Sequence, residues 1–162
     1  RTLRAPNLGL RAGGGRWGGT QKSAGEEAGQ PGWGPKLQVS NTALLSATAG
    51  LSFDEARADQ EFWGQLVESA VGAHLANAAA AGGFRLFYWR DGDNEVDFVV
   101  QQGRRTVAIE VKSGSAYRSP SGHAGTAAFR EAFKTHRAIL VGGGGESIEK
   151  FLLQPVEQWT QP

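Results

Sequence analysis

Val96-Asp97-Phe98-Val99-Val100 and Val107-Ala108-Ile109-Glu110-Val111-Lys112 are two short β-branched and aromatic runs, each carrying charge where a strand rarely holds it. A charge among such neighbours loses hydration and needs a partner, a metal or a shifted pKa. Side chains alternate faces along a strand, so Ala108, Glu110 and Lys112 share one side, and Val107, Ile109 and Val111 share the uniformly apolar other. Gln102-Gly103-Arg104-Arg105 joins the runs, and Gly103 suits the first central position of a two-residue type II′ turn. That turn places Asp97 across from Glu110. Facing carboxylates repel, a divalent cation reverses the sign, and without metal Asp97→Asn is expected to be at least as stable as the native chain.

A solvated face of an ordinary antiparallel sheet also carries charge, but it would carry several polar residues. The companions of the charges here are Val99 and Ala108. Asp97, Glu110 and Lys112 are thus the first candidates for chemistry.

Upstream, residues 59–81 read as the clearest helix, with Phe62, Trp63, Leu66, Val67, Ala70, Val71, His74, Leu75 and Ala78 forming a broad apolar stripe at helical period. Glu68 lies at its margin, flanked one turn away by Gly64 and Gly72, so another backbone can come close and Glu68 can reach the acidic pair. A solvated Glu68 beside packing glycines is the alternative. His74 reads as a core histidine with one hydrogen bond.

Elsewhere Asn41 can cap a helix over 42–48, and Ser52-Phe53-Asp54-Glu55 has the capping-box form. Phe84 to Arg90 reads as a strand turned by Asp91-Gly92-Asp93-Asn94 into the Asp97 strand. After a loop over 113–125, a helix near 126–134 buries Phe129 and Phe133, Ala138 to Val141 is an all-apolar strand of the kind found inside a covered sheet, and 147–153 is a closing helix. The order α-β-β-β-α-β describes an α/β fold, a mixed sheet flanked by helices.

These residues carry a resemblance. Glu68 on its helix, Glu95-Val96-Asp97-Phe98-Val99, and Ile109-Glu110-Val111-Lys112-Ser113 are in the order of the PD-(D/E)xK superfamily, the restriction-endonuclease-like fold. Together with Lys36 to Leu44, Val67 to Val71 with His74-Leu75, and Phe87 to Arg90, they resemble the uncharacterised domain that ends many prokaryotic AAA-type ATPases, over about residues 36–155. The resemblance implies that Asp97 and Glu110 hold Mg²⁺ or Mn²⁺ beside the Val111 carbonyl, that Glu68 completes or supports the site, and that Lys112 orients a water and stabilises developing negative charge. Hard oxygen ligands suit such a cation, which lowers the pKa of a bound water. The superfamily's aspartate often follows proline, whereas Val96 stands here.

Composition pulls against a simple nuclease reading. The first 37 residues hold six basic and two acidic residues, but residues 38–162 hold eleven basic and fourteen acidic. Sequence-independent DNA binding rests on a basic surface, and this part lacks one in its total charge. Arg104, Arg105, Lys112, Arg118, Arg130, Lys134 and Arg137 still gather in one stretch. Two functions stay open: Mg²⁺-dependent phosphodiester hydrolysis of nucleic acid, or a non-catalytic recognition module contacting nucleic acid or protein. Tyr88 and Trp89 could stack on bases, although core packing suits at least one of them.

Residues 1–35, crowded with glycine, read as a disordered or linker segment, 36–155 as the domain and 156–162 as a tail. No P-loop is usable, because Gln21 occupies the glycine position before Lys22-Ser23, so the chain offers no nucleotide site. It begins at Arg1 without any methionine, and so reads as a fragment preceded by an ATPase module in cis. The absence of cysteine excludes disulfides and Cys-based zinc sites. The histidines, His74, His123 and His136, are scattered, and no run approaches the ~20 apolar residues of a membrane span, so a cytoplasmic protein is expected.

Overall fold

A computed structural model of the chain describes residues 7–8, 37–38, 42–114 and 124–161. The expectations for the Gly-rich segment (save Asn7 and Leu8), Asn41, the loop over 115–123, Arg118 and His123 lie outside them. Strand β1 (Asn7–Leu8) pairs in parallel with β2 (Leu37–Gln38).

Three helices precede the main sheet. They are α1 (Thr42–Ala49), α2 (Phe53–Ala58) and α3 (Gln60–Ala80). Both capping-box bonds of Ser52 and Glu55 are present at the start of α2, and they hold the Glu55 carboxyl below the usual carboxylate range. The Asp59 side chain accepts from the amides of Glu61 and Phe62, which starts α3.

The sheet has the order β3-β4-β5-β6, from β3 (Arg85–Asp91), β4 (Asn94–Gln102), β5 (Arg105–Lys112) and β6 (Arg137–Gly142). The first three strands form an antiparallel meander, and β6 joins β5 in parallel after α4 (Ala124–Ala132). From α3 onward the order is α-β-β-β-α-β, so the mixed α/β architecture holds. Gly103 takes φ 59° in a two-residue turn, as a primed turn requires.

Each face of the sheet has its own core. On one, Val67, Val71, Leu75 and Ala76 of α3 meet Phe98, Val100, Val107, Ile109 and Val111, and Phe151 of α5 (Ile148–Leu153) and Trp159 of α6 (Glu157–Thr160) close the layer. On the other, Phe129 of α4 packs with Trp89, Val96, Val99 and Ala108. Phe133 stacks on Phe129 just beyond the helix.

Three expectations are corrected here. Strand β6 lies at the sheet's edge; Ile139 and Val141 are buried but Ala138 is exposed, so its apolar run reflects a small outward residue and not cover on both faces. Residues 156–160 are part of the fold and not of a tail, because Val156, Trp159 and Thr160 are buried and the Thr160 hydroxyl donates to the Gln102 side chain. Tyr88 and Trp89 are both buried, which removes them as base-stacking platforms.

Candidate metal centre

The β4–β5 ladder runs from Gln102↔Arg105 to Phe98↔Ile109 in the register that the two-residue turn dictates. It stops one step short of Asp97 and Glu110. Beyond that point the Val111 amide, which continued pairing would give to the Val96 carbonyl, donates instead to Oδ2 of Asp97 at 2.9 Å. The Asp97 carboxylate therefore stands at the seam where the strands part, against the Glu110–Val111 peptide. That hydrogen bond gives a residue only 9 % exposed a main-chain partner.

A β-bulge places it. Phe87 pairs with Val99 and Trp89 with Val96, so Asp97 and Phe98 together face the single residue Tyr88. Simple alternation would group Val96 with Phe98, yet Val96 and Val99 share the α4-side core while Phe98 and Val100 share the α3-side core. The extra residue in β4 opens this break, and bulges of this kind re-aim a side chain beside functional sites. Nothing in the local sequence marks it, because Val, Asp and Phe fit either arrangement.

On β5 the alternation holds as expected. Glu110 and Lys112, two residues apart, form an ion pair at 3.1 Å, with side chains 13 % and 35 % exposed. The carbonyl of Lys112 is covered by Gly142 at the end of β6, where a Cβ would come within 2.1 Å of it.

Glu68 is half-buried on α3, and Gly64, one turn before it, faces the end of β5: a Cβ on Gly64 would lie 3.4 Å from the Ser113 hydroxyl. The helix thus brings Glu68 toward the strand end that carries Lys112. It does not complete a carboxylate trio, since among the described residues no group of three or more His, Asp and Glu side chains could hold a metal ion. The space at Gly64 is also looser than a required bare surface. Gly64→Ala should raise stability by up to about 1 kcal/mol through helix propensity, measured by urea denaturation. His74 packs edge-on to Phe151, and its Nε2 is buried without the hydrogen bond expected for it.

The oxygen donors that remain are Asp97, Glu110 and the Val111 carbonyl. They fit Mg²⁺ by type, since that cation is commonly held by one or two carboxylates while keeping several waters. The fold and site together define a mixed α/β domain with a carboxylate-lysine strand end. The family model described as "Domain of unknown function (DUF4143)" matches residues 63–159, and the chain belongs to that family. No curated protein and no solved structure matches it. No helix among the described residues is long and apolar enough to cross a membrane.

Proposed function

We propose that this domain is restriction-endonuclease-like, of the PD-(D/E)xK type, and hydrolyses phosphodiesters of nucleic acid with Mg²⁺ or Mn²⁺, serving a cis AAA-type ATPase in the cytoplasm. The observation that carries the reading is the Asp97 carboxylate lodged against the Glu110–Val111 peptide, with Lys112 paired to Glu110 beside it. Asp97, Glu110 and the Val111 carbonyl would hold the cation, which supplies a water of lowered pKa and neutralises phosphoryl charge. Lys112 offsets the negative charge of Glu110 and, released from it, donates to a phosphoryl oxygen. Glu68 supports the strand end through α3 and accepts a proton by way of water.

The alternative, a non-catalytic recognition module, draws on a different observation: one Asp97 oxygen is already committed to a main-chain amide, as in a purely structural bond.

Thermal denaturation with and without Mg²⁺ or Mn²⁺ separates these. Metal should raise the melting temperature of the native chain and leave Asp97→Asn and Glu110→Gln unmoved. Without metal, Asp97→Asn should stay within about 1 kcal/mol of native, since an amide oxygen still accepts from Val111, whereas Asp97→Ala should lose about 1–3 kcal/mol by orphaning that buried amide. Lys112→Ala should keep the metal response and lose cleavage of DNA or RNA. An equal response to metal in native and both carboxamide variants would end the metal reading.

A further inference from the structure

The strand directions sort most strand-borne charges of this domain into two ends, with Arg90, in register with Glu95, and Lys112, paired to Glu110, as the cations at the acidic one. Asp91, Asp93, Glu95, Asp97 and Glu110 cluster where the β3–β4 turn and the end of β5 meet. At the opposite end stand Arg85, which begins β3, Arg104 and Arg105 at the β4–β5 turn, and Lys134 and Arg137 at the entry to β6. Arg85 and Arg105 flank the neighbouring Gln101 and Gln102 in register, and Arg137 pairs with Val107, so the five lie across one edge of the sheet. Three strand spacings separate β3 from β6, roughly 14 Å. Seven residues of β5 separate Arg105 from Lys112, roughly 23 Å.

All five cations are exposed, and among the described residues none is in an ion pair. Arg85 donates to the Gln101 side chain at 2.6 Å, and the Arg137 guanidinium lies 5.8 Å from the centre of the Trp159 ring. These contacts hold two arginines outward without neutralising them. An uncompensated group of five, four of them arginine, suits the planar, bidentate recognition of phosphate.

We infer that this arginine-rich sheet end is a docking surface for the phosphate backbone of nucleic acid, remote from the candidate metal centre. It rests on the phosphodiesterase reading only for the choice of nucleic acid over another polyanion. The separation has a physical use. The acidic end repels phosphates until a cation is bound, whereas the arginine end attracts them at once, so docking and chemistry are independently controlled.

The test is fluorescence-anisotropy titration of the full chain in EDTA with a labelled DNA duplex, over roughly 50–200 mM salt, where each phosphate contact contributes about −0.9 to the slope of log K against log salt. The double variant Arg104→Gln/Arg105→Gln alters two exposed turn-end side chains, and circular dichroism should show it folded. It should bind more weakly, with a slope about 1.8 less steep, while keeping the metal-induced rise in melting temperature. Asp97→Asn should keep the native slope, so loss of the metal site and loss of docking read out separately. Equal slopes for native and double variant would overturn the inference, and so would preferential binding of polyglutamate, which would assign the surface to an acidic protein segment.

Discussion

Phe151→Ala should unfold this domain more readily than any other single truncation of α5, at a cost of about 3–5 kcal/mol in urea denaturation. Phe151 is fully buried, stacked on Trp159 at 5.2 Å between ring centres and met edge-on by His74 at 5.9 Å. It is where α3, α5 and α6 converge, so the cavity left by its removal is walled by three helices that cannot all collapse inward. A domain of this size has a stability of about 5–15 kcal/mol in total, and the loss is a large share of it. Leu153, two residues further along α5, is 76 % exposed, and Leu153→Ala should stay within about 0.5 kcal/mol. A Phe151 variant as stable as the Leu153 variant would show that α5 does not close the core.

Gly125→Ala should be a severely damaging methyl addition near the candidate centre. A Cβ at Gly125 would sit 1.9 Å from the main-chain oxygen of Glu95, a distance no relaxation of a side chain can cure. Helix α4 would have to lift from β4, drawing Phe129 out of its contacts with Trp89, Val96, Val99 and Ala108. Overpacking of this kind costs about 1–3 kcal/mol, and here the whole second core moves with it. The displaced strand segment is two residues from Asp97, so the metal-induced thermal shift should shrink as well. Gly64→Ala makes the opposite case, for there the added methyl meets only a hydroxyl at 3.4 Å. Denaturation of both variants side by side checks the contrast; similar stabilities would mean that α4 is not seated on Glu95.

The β4–β5 register was legible because two features agreed. Gly103 between polar residues selects a two-residue turn, and from it the register follows by counting, as the pairing from Gln102↔Arg105 to Phe98↔Ile109 shows. The start of α2 was legible for a similar reason, since Ser52 and Glu55 interact across a single turn. Helix α4 begins two residues before its expected start, at Ala124, and buries Phe129 as its apolar spacing implies.

The bulge was not legible. It depends on how β3 pairs with β4, where the register set at the turn, Asp91↔Asn94 to Trp89↔Val96, differs by one residue from that at the far end, Phe87↔Val99 to Arg85↔Gln101. The strand absorbs the difference at Asp97 and Phe98. Glu68 was assigned to the site from its bare flanks, but bare flanks specify that a helix can approach, not how far.

Local pattern therefore accounts for the order of elements, both hairpin turns and the helix start at Ser52, because each rests on residues a few positions apart whose geometry the backbone enforces. The bulge that seats Asp97 beside Val111, the burial of Trp159 and the gathering of Arg85, Arg105 and Arg137 at one end of the sheet arise from contacts between segments far apart in the chain. Their free energies exist once the sheet is assembled, and no short window of residues contains them.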